Sequence, residues 1–420
     1  MHPVRRIRDM ESRLLQVLPS VVAEIDGEPA IEFDFCESLR LYLQNFDQVI
    51  IACPITKGAA DSSLWRSRRV KELPWRDRVK LISLPNAYRL DQFLRHYAAV
   101  RTSLKTAIEN ADYLLFSPHS LVGDWPTVAV CGAIKLRRPY AIDADVVYDK
   151  VAQVDWHHDP TYKQFINRTM LLPLFQRSYR YCLEHSSLAL LQGQDVYQAY
   201  SSFCANPHKV YHMPVSGDDY ITEPQLQTKL NSLAEDRPLR LCYVGRCIEM
   251  KGPADWLKTL QEAIGRGAKI SATWLGDGSL LESMRMTAAN LGIADHVHFP
   301  GFVADRRELL RILRDSDLFV FCHKTPESPR CLVEALVSGC PLIGYGSAYP
   351  RDLVSRHGGG LFAPVGDWHA LAAMVSDLAV DRRKVHDLIR AASLSGRLYE
   401  RDATMQRRID LIKQYLSPQP

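Results

Sequence analysis

A chain of 420 residues is too long for one ordinary hydrophobic core, so two domains are the starting expectation. Its 46% hydrophobic and 24% charged content, with no low-complexity tract, is that of a globular enzyme. A formal net charge of +4 is too small to argue for nucleic acid, and no zinc-finger, homeodomain or RNA-recognition signature accompanies it. Ten scattered cysteines without a CxxC pair, most in apolar runs, read as reduced buried thiols in a cytosolic protein. There is no 18-residue apolar run, and the basic N-terminus is not followed by a signal-peptide core. The expected location is cytoplasmic, with peripheral contact at the inner face of a membrane.

In chain order, 14–18 predicts a first strand and 26–29 a loop, followed by a helix over 35–43 and a strand over 49–52. The stretch from Trp65 to Lys80 carries seven Arg and Lys residues, with Trp65 and Trp75 among them. It reads either as a solvated surface or as a contact for anionic lipid or a lipid-pyrophosphate acceptor. Strand 113–116, helix 127–136 and strand 140–142 follow the βαβ rhythm of a doubly wound sheet. Asp143-Ala144-Asp145 comes next. A three-residue DxD is common by chance, and we assign it no metal. Asp145 or Asp143 at a strand end either contacts a substrate hydroxyl or caps the next loop. His119 follows a strand's carboxyl end; His157, His158 and Asp159 have no metal-ligand spacing. A long amphipathic helix over 162–182, a strand at 189–191, a helix at 195–203 and a strand at 210–214 complete the first half.

The polar stretch 219–237 reads as a linker, which gives an N-terminal domain 1–218 and a second domain 238–395, followed by a final helical segment 396–420. The second domain opens with strand 239–244 and then Gly245-Arg246, with Lys251-Gly252 downstream. A guanidinium and an ammonium five residues apart on a strand-end turn suit a diphosphate. Strand 271–275 ends in Gly276-Asp277-Gly278, and a short strand and turn at 298–302 ends in Phe302. Apolar 318–321 leads to Glu327-Ser328-Pro329-Arg330-Cys331-Leu332-Val333-Glu334, then Gly339 and Pro341. Ser328 is placed to cap a helix with Pro329 at its first position. The helix start is an anion site. Glu327 at its mouth either complements the dipole or faces sugar hydroxyls, and Glu334 either lies on an exposed face or accepts from a vicinal diol. Helices are expected over 369–379, 382–394 and 402–416.

Gly245-Arg246 through Lys251-Gly252, Gly276-Asp277-Gly278 and Glu334-Ala335 through Gly339-Cys340-Pro341 together resemble the retaining family-4 glycosyltransferases of the glycosyl transferases group 1 type. The resemblance covers about 239–378. Only six residues separate Glu327 from Glu334, where the family has seven, and Ser328-Pro329-Arg330 replaces its Gly-Phe-Gly. The resemblance implies an α/β GT-B fold, two Rossmann-like domains facing a central cleft, with the final helix crossing back. It implies a nucleotide-diphosphate sugar as donor, a glycan or lipid-linked acceptor, and no metal or other cofactor. Arg246 and Lys251 would hold the diphosphate, with Gly245, Gly276, Ser328, Arg330, Cys331 and Leu332 around it. Glu334 would bind ribose, Phe302 the base, Glu327 the transferred sugar, and Asp145 would lie near the reacting carbon. A GT-B sugar-nucleotide epimerase and a non-catalytic scaffold with a decayed site are the competing readings.

Overall fold

The computed structural model describes residues 12–19, 22–57, 67–87, 89–120, 123–155, 160–213, 215–233 and 236–417. Trp65, Arg66, His157, His158 and Asp159 lie outside them. Two sheets organise the chain. The first contains β1 (Arg13–Val17), β2 (Val22–Ile25), β3 (Glu28–Glu32), β4 (Gln48–Lys57), β5 (Ser67–Arg69), β6 (Val79–Leu84), β7 (Tyr113–Phe116), β8 (Ala141–Ala144), β9 (Leu188–Gln192) and β10 (Pro207–Val210). Its parallel body runs β6-β4-β1-β7-β8-β9-β10, and β2, β3 and β5 extend it beside the far half of β4. The expected loop at 26–29 is in fact a two-residue hairpin turn. Asp26 and Gly27 both take positive φ (52° and 77°), as the tight turn between twisted strands requires.

The second sheet contains β11 (Leu239–Val244), β12 (Ile270–Leu275), β13 (Val297–Gly301), β14 (Leu318–Phe321), β15 (Leu342–Tyr345) and β16 (Gly360–Ala363), in the order β13-β12-β11-β14-β15-β16, all parallel. Its strands read as apolar runs because helices cover both faces; β14 and β15 are buried throughout. In both sheets the order reverses beside the first strand, between β1 and β7 and between β11 and β14. Ligands of open parallel sheets bind in the crevice outside the strand carboxyl ends at such a point.

Residues 219–237 are not a linker. Thr222 caps the helix Glu223–Ser232, with Gln225 completing a reciprocal capping box. Leu226, Leu230 and Leu233 join the core of the second sheet. The Lys229 ammonium is buried and donates to the carbonyls of Leu313 and Ser338. The polar composition of this segment belongs to its outer face.

The final helix, Arg401–Leu416, packs on the first sheet: Met405, Ile409, Ile412 and Leu416 sit in one cluster with Leu14, Val49, Leu115 and Leu190. Buried Arg408 on this helix donates to Asp143 at 2.5 Å. Burial pushes the Asp143 carboxyl up, and the Arg408 charge opposes that rise. Asp143 therefore anchors the final helix rather than facing a substrate. Breaking a buried pair leaves the surviving charge uncompensated, so Arg408→Ala is expected to cost about 3 kcal/mol. Adding Asp143→Ala is expected to recover part of that loss. Denaturant unfolding of the single and double variants measures both.

Candidate functional site

The switch point of the second sheet brings four loops together. Gly245 and Arg246 follow β11, Gly276 follows β12, Phe302 follows β13, and 322–330 follow β14. The Gly276 N–H (φ 149°) donates to the Gly301 carbonyl at 2.9 Å, and a Cβ there would run into the Gly245 carbonyl. It is the close approach of three strand ends that requires glycine. Arg246 is exposed and forms no ion pair among the described residues. Lys251 lies in a short 3-10 turn ending at Gly252, which adopts the left-handed conformation against the Cys322 carbonyl.

Lys251 is buried, and its ammonium meets Glu327 Oε1 at 2.6 Å across the switch point. The two side chains are only 10% and 11% exposed. His323, which sequence reasoning missed, completes this group. Its Nδ1 lies 3.9 Å from the same Glu327 oxygen, and its Nε2 lies 2.8 Å from the Tyr243 hydroxyl. Burial, reinforced by the Lys251 charge, pushes His323 far below the ordinary histidine range, so the ring is neutral. Burial also pushes Tyr243 far up, so its hydroxyl keeps its proton and can donate to Nε2. The ring thus carries one proton, with one nitrogen bonded to Tyr243 and the other on the Glu327 side.

Glu334 is buried on the helix Cys331–Val337 and accepts from Arg306 at 2.7 Å. Arg306 also meets Asp219 at 2.9 Å. Burial alone would lower the Arg306 guanidinium, but its bonds to Asp219 and Glu334 outweigh burial and raise it. Sequence reasoning missed Arg306 and Asp219 as well. A lone arginine at a helix start carries no signal until folding supplies its partners.

The stretch after Glu327 departs from expectation. Ser328 does not cap a helix. Its hydroxyl donates to the Gln192 carbonyl of the first sheet at 2.7 Å, and the helix begins at Cys331 with Arg330 at its cap position. Arg330 lines a small space with Ser38, His212, Met213, Arg306 and Arg401, away from Arg246. Leu332 is fully buried core and its N–H donates to the Pro329 carbonyl at 3.3 Å, so it does not reach a ligand; Cys331 is half-buried. Phe302 is 39% exposed, and Val303 packs on the core instead.

The first domain reaches this group through 145–147. Val146 pairs with Glu327 in an isolated antiparallel bridge, and the Val147 N–H donates to the Pro326 carbonyl at 3.4 Å. Asp145, one residue before the bridge, is exposed and accepts from Tyr148 at 2.8 Å. His119 pairs with buried Asp124 at 2.8 Å. Among the described residues, no group of three or more His, Cys, Asp or Glu side chains is arranged to hold a metal ion. The basic stretch singled out for lipid contact is engaged within the fold. Arg69 pairs with Asp26 and Lys71 with Glu28, Arg78 donates to the carbonyls of Leu43, Phe46 and Asp47, and Trp75 packs on a core cluster.

His323 is buried and His212 half-buried, and desolvation holds both rings neutral by pushing them well below the ordinary histidine range. The unfolded chain binds protons that these rings refuse when folded. Stability is therefore complete above about pH 6.5 and falls as pH drops below it, by about 1.4 kcal/mol per pH unit for each histidine. Melting temperatures measured across that window are expected to decline, and His323→Gln is expected to make the decline shallower.

Residues 227–394 match the family model described as Glycosyl transferases group 1. The amylovoran biosynthesis glycosyltransferase AmsK of Erwinia amylovora is 27% identical over 162 residues, 37% of this chain and 40% of AmsK. The 2-deoxystreptamine N-acetyl-D-glucosaminyltransferase of Streptomyces fradiae is 29% identical over 176 residues, 41% of each chain. The matched stretch thus spans about two fifths of these relatives. The crystal structure of HepE from Anabaena in complex with UDP superposes with a TM-score of 0.67 at 15% identity, over 96% of this chain and 100% of HepE. The shared architecture is the GT-B fold.

Proposed function

We propose, from the match of residues 227–394 to the family model described as Glycosyl transferases group 1, that the chain is a retaining, metal-independent glycosyltransferase. It moves a sugar, of the hexosyl type, from a nucleotide-diphosphate sugar to a glycan or lipid-linked acceptor in polysaccharide or glycoconjugate biosynthesis. The observation that carries this reading is the nearly enclosed Lys251–Glu327 pair at the second switch point, with exposed Arg246 on the same strand-end turn. HepE has been solved with UDP and with UDP-glucose, which supports a nucleotide sugar as the donor.

In this reading Glu327 takes one N–H of the Lys251 ammonium and directs the others toward the diphosphate. Arg246 adds a second cation, and the backbone N–H of Cys331 at the helix start adds a further donor. Two fixed cations stabilise the charge that develops on the leaving phosphate, so no metal is called on for that task. The carboxylate of Glu327 also accepts a hydroxyl of the transferred sugar, with its orientation held by His323. Glu334, positioned by Arg306, faces the ribose, and Phe302 lies against the base. The acceptor hydroxyl attacks from the face the phosphate leaves, near Asp145, and passes its proton to that phosphate. The carbon–oxygen bond to phosphate breaks as the bond to the acceptor forms on the same face, which retains the anomeric configuration.

Thermal shift with UDP, GDP and ADP, without added metal, tests donor binding directly. One diphosphate is expected to raise the melting temperature selectively, and Arg246→Ala is expected to remove the shift. Arg246→Ala is also expected to lower turnover by about 100-fold or more without loss of fold. Glu334→Gln should mainly weaken nucleotide binding. Stabilisation by none of the diphosphates, or wild-type turnover in Arg246→Ala, overturns the assignment.

A further inference from the structure

The segment 160–184 of the first domain has an arrangement that a soluble globule alone does not explain. The helix Thr161–Ile166, a π-helical turn Asn167–Leu171 and the helix Leu172–Glu184 form one continuous rod. Nothing in its first eleven residues is buried. Yet Tyr162, Phe165, Ile166, Met170, Leu171 and Leu174 stand 37–68% exposed. Scattered exposed apolar residues are ordinary; six on one rod are not. Lys163, Arg168, Arg177 and Arg180 share the rod with a single acid, Glu184, which pairs with Arg180. A second stripe of the same kind lies on the helix Leu90–Asn110, where Leu90, Leu94 and Tyr97 are exposed beside Arg95 and Arg101.

Both helices cover the same face of the first sheet, since Val100 and Leu104 share a core cluster with Phe175 and Tyr179. Each precedes the next parallel strand, β7 or β9. A right-handed crossover therefore places the N-terminal turns of both at the carboxyl edge of the sheet, where the acceptor side of the cleft opens. We propose that the rod at 161–174, with the stripe at Leu90–Tyr97, docks the protein on an anionic phospholipid bilayer. Aromatic and aliphatic side chains enter the headgroup boundary while the basic residues meet lipid phosphates. A second copy of the chain is a poorer occupant, because an isologous contact would set this basic rim against itself. The inference rests on the proposed transfer reaction only in assigning the acceptor a lipid anchor.

Flotation with vesicles of mixed phosphatidylglycerol and phosphatidylcholine, against phosphatidylcholine alone, tests it. Binding is expected to be at least about tenfold stronger to the anionic vesicles and to weaken as salt rises. Phe165→Ser/Met170→Ser/Leu174→Ser and, separately, Arg168→Glu/Arg177→Glu are each expected to reduce it about tenfold or more. All five substituted side chains are exposed, so both variants are expected to keep their melting temperature and their nucleotide-induced shift. Retention of that shift separates loss of docking from failure of the donor site. Equal binding to neutral vesicles, binding unaffected by either variant, or a dimer in solution that the apolar variant dissolves, would each overturn the assignment.

Discussion

The ion pair between Lys251 and Glu327 is the constraint on which the rest of the site depends. It joins the turn after β11 to the loop after β14, across the point where the parallel order of the second sheet reverses. Both partners are nearly enclosed, so neither charge is tolerable without the other. Glu327 is held a second time through its backbone, by the bridge to Val146. One residue thus fixes the cation of the second domain and meets the first domain beside Asp145. His323 adds a neutral ring between this pair and the core hydroxyl of Tyr243, which limits how the carboxylate can turn.

The seam between the domains is built on the same principle of acid meeting donor. Asp195 of the first domain accepts from the backbone N–H groups of Ala348 and Tyr349, the start of a helix in the second. Asp352, later on that helix, returns the contact by pairing with Lys209 at 2.9 Å and accepting from Tyr211. Ser328 adds its hydrogen bond to Gln192. Gly193, next in sequence, has no space for a Cβ because the Tyr349 ring and the Ser328 hydroxyl occupy it. The final helix then crosses back and locks to β8 through Arg408 and Asp143. These contacts join the two domains along one seam.

What the sequence made legible was local. Gly245 to Gly252 shows because its glycine turn and two cations stand ahead of the Glu327–Glu334 stretch; alone they would read as a solvated loop. Both sheets show in their apolar runs. What it hid depends on partners distant in the chain. His323 is one unremarked histidine until folding buries it between Tyr243 and Glu327. Ser328-Pro329 obeys the local rule for a helix start, but the Gln192 carbonyl takes the hydroxyl and the helix begins three residues later. The 219–237 segment looks like a linker because Leu226, Leu230 and Leu233 are sparse among polar residues. Those few leucines suffice to dock a helix whose capping box already defines its start. Asp143 and Asp145 look equivalent in sequence; their difference comes from Arg408, 265 residues away.

A consistent electrostatic pattern follows from these partners. Glu327 is matched by Lys251, Glu334 by Arg306, Asp219 by Arg306 as well, and Asp143 by Arg408. Every one of these carboxylates meets a cation of the protein itself, although Glu334 and Asp219 share the single guanidinium of Arg306. Arg246 stands outside these pairs, exposed at the carboxyl end of β11. A site that pairs its own acids internally and leaves an exposed guanidinium at a strand end suits a ligand that brings negative charge. Such an arrangement needs little reorganisation when that charge increases, which is the electrostatic requirement for stabilising a departing diphosphate.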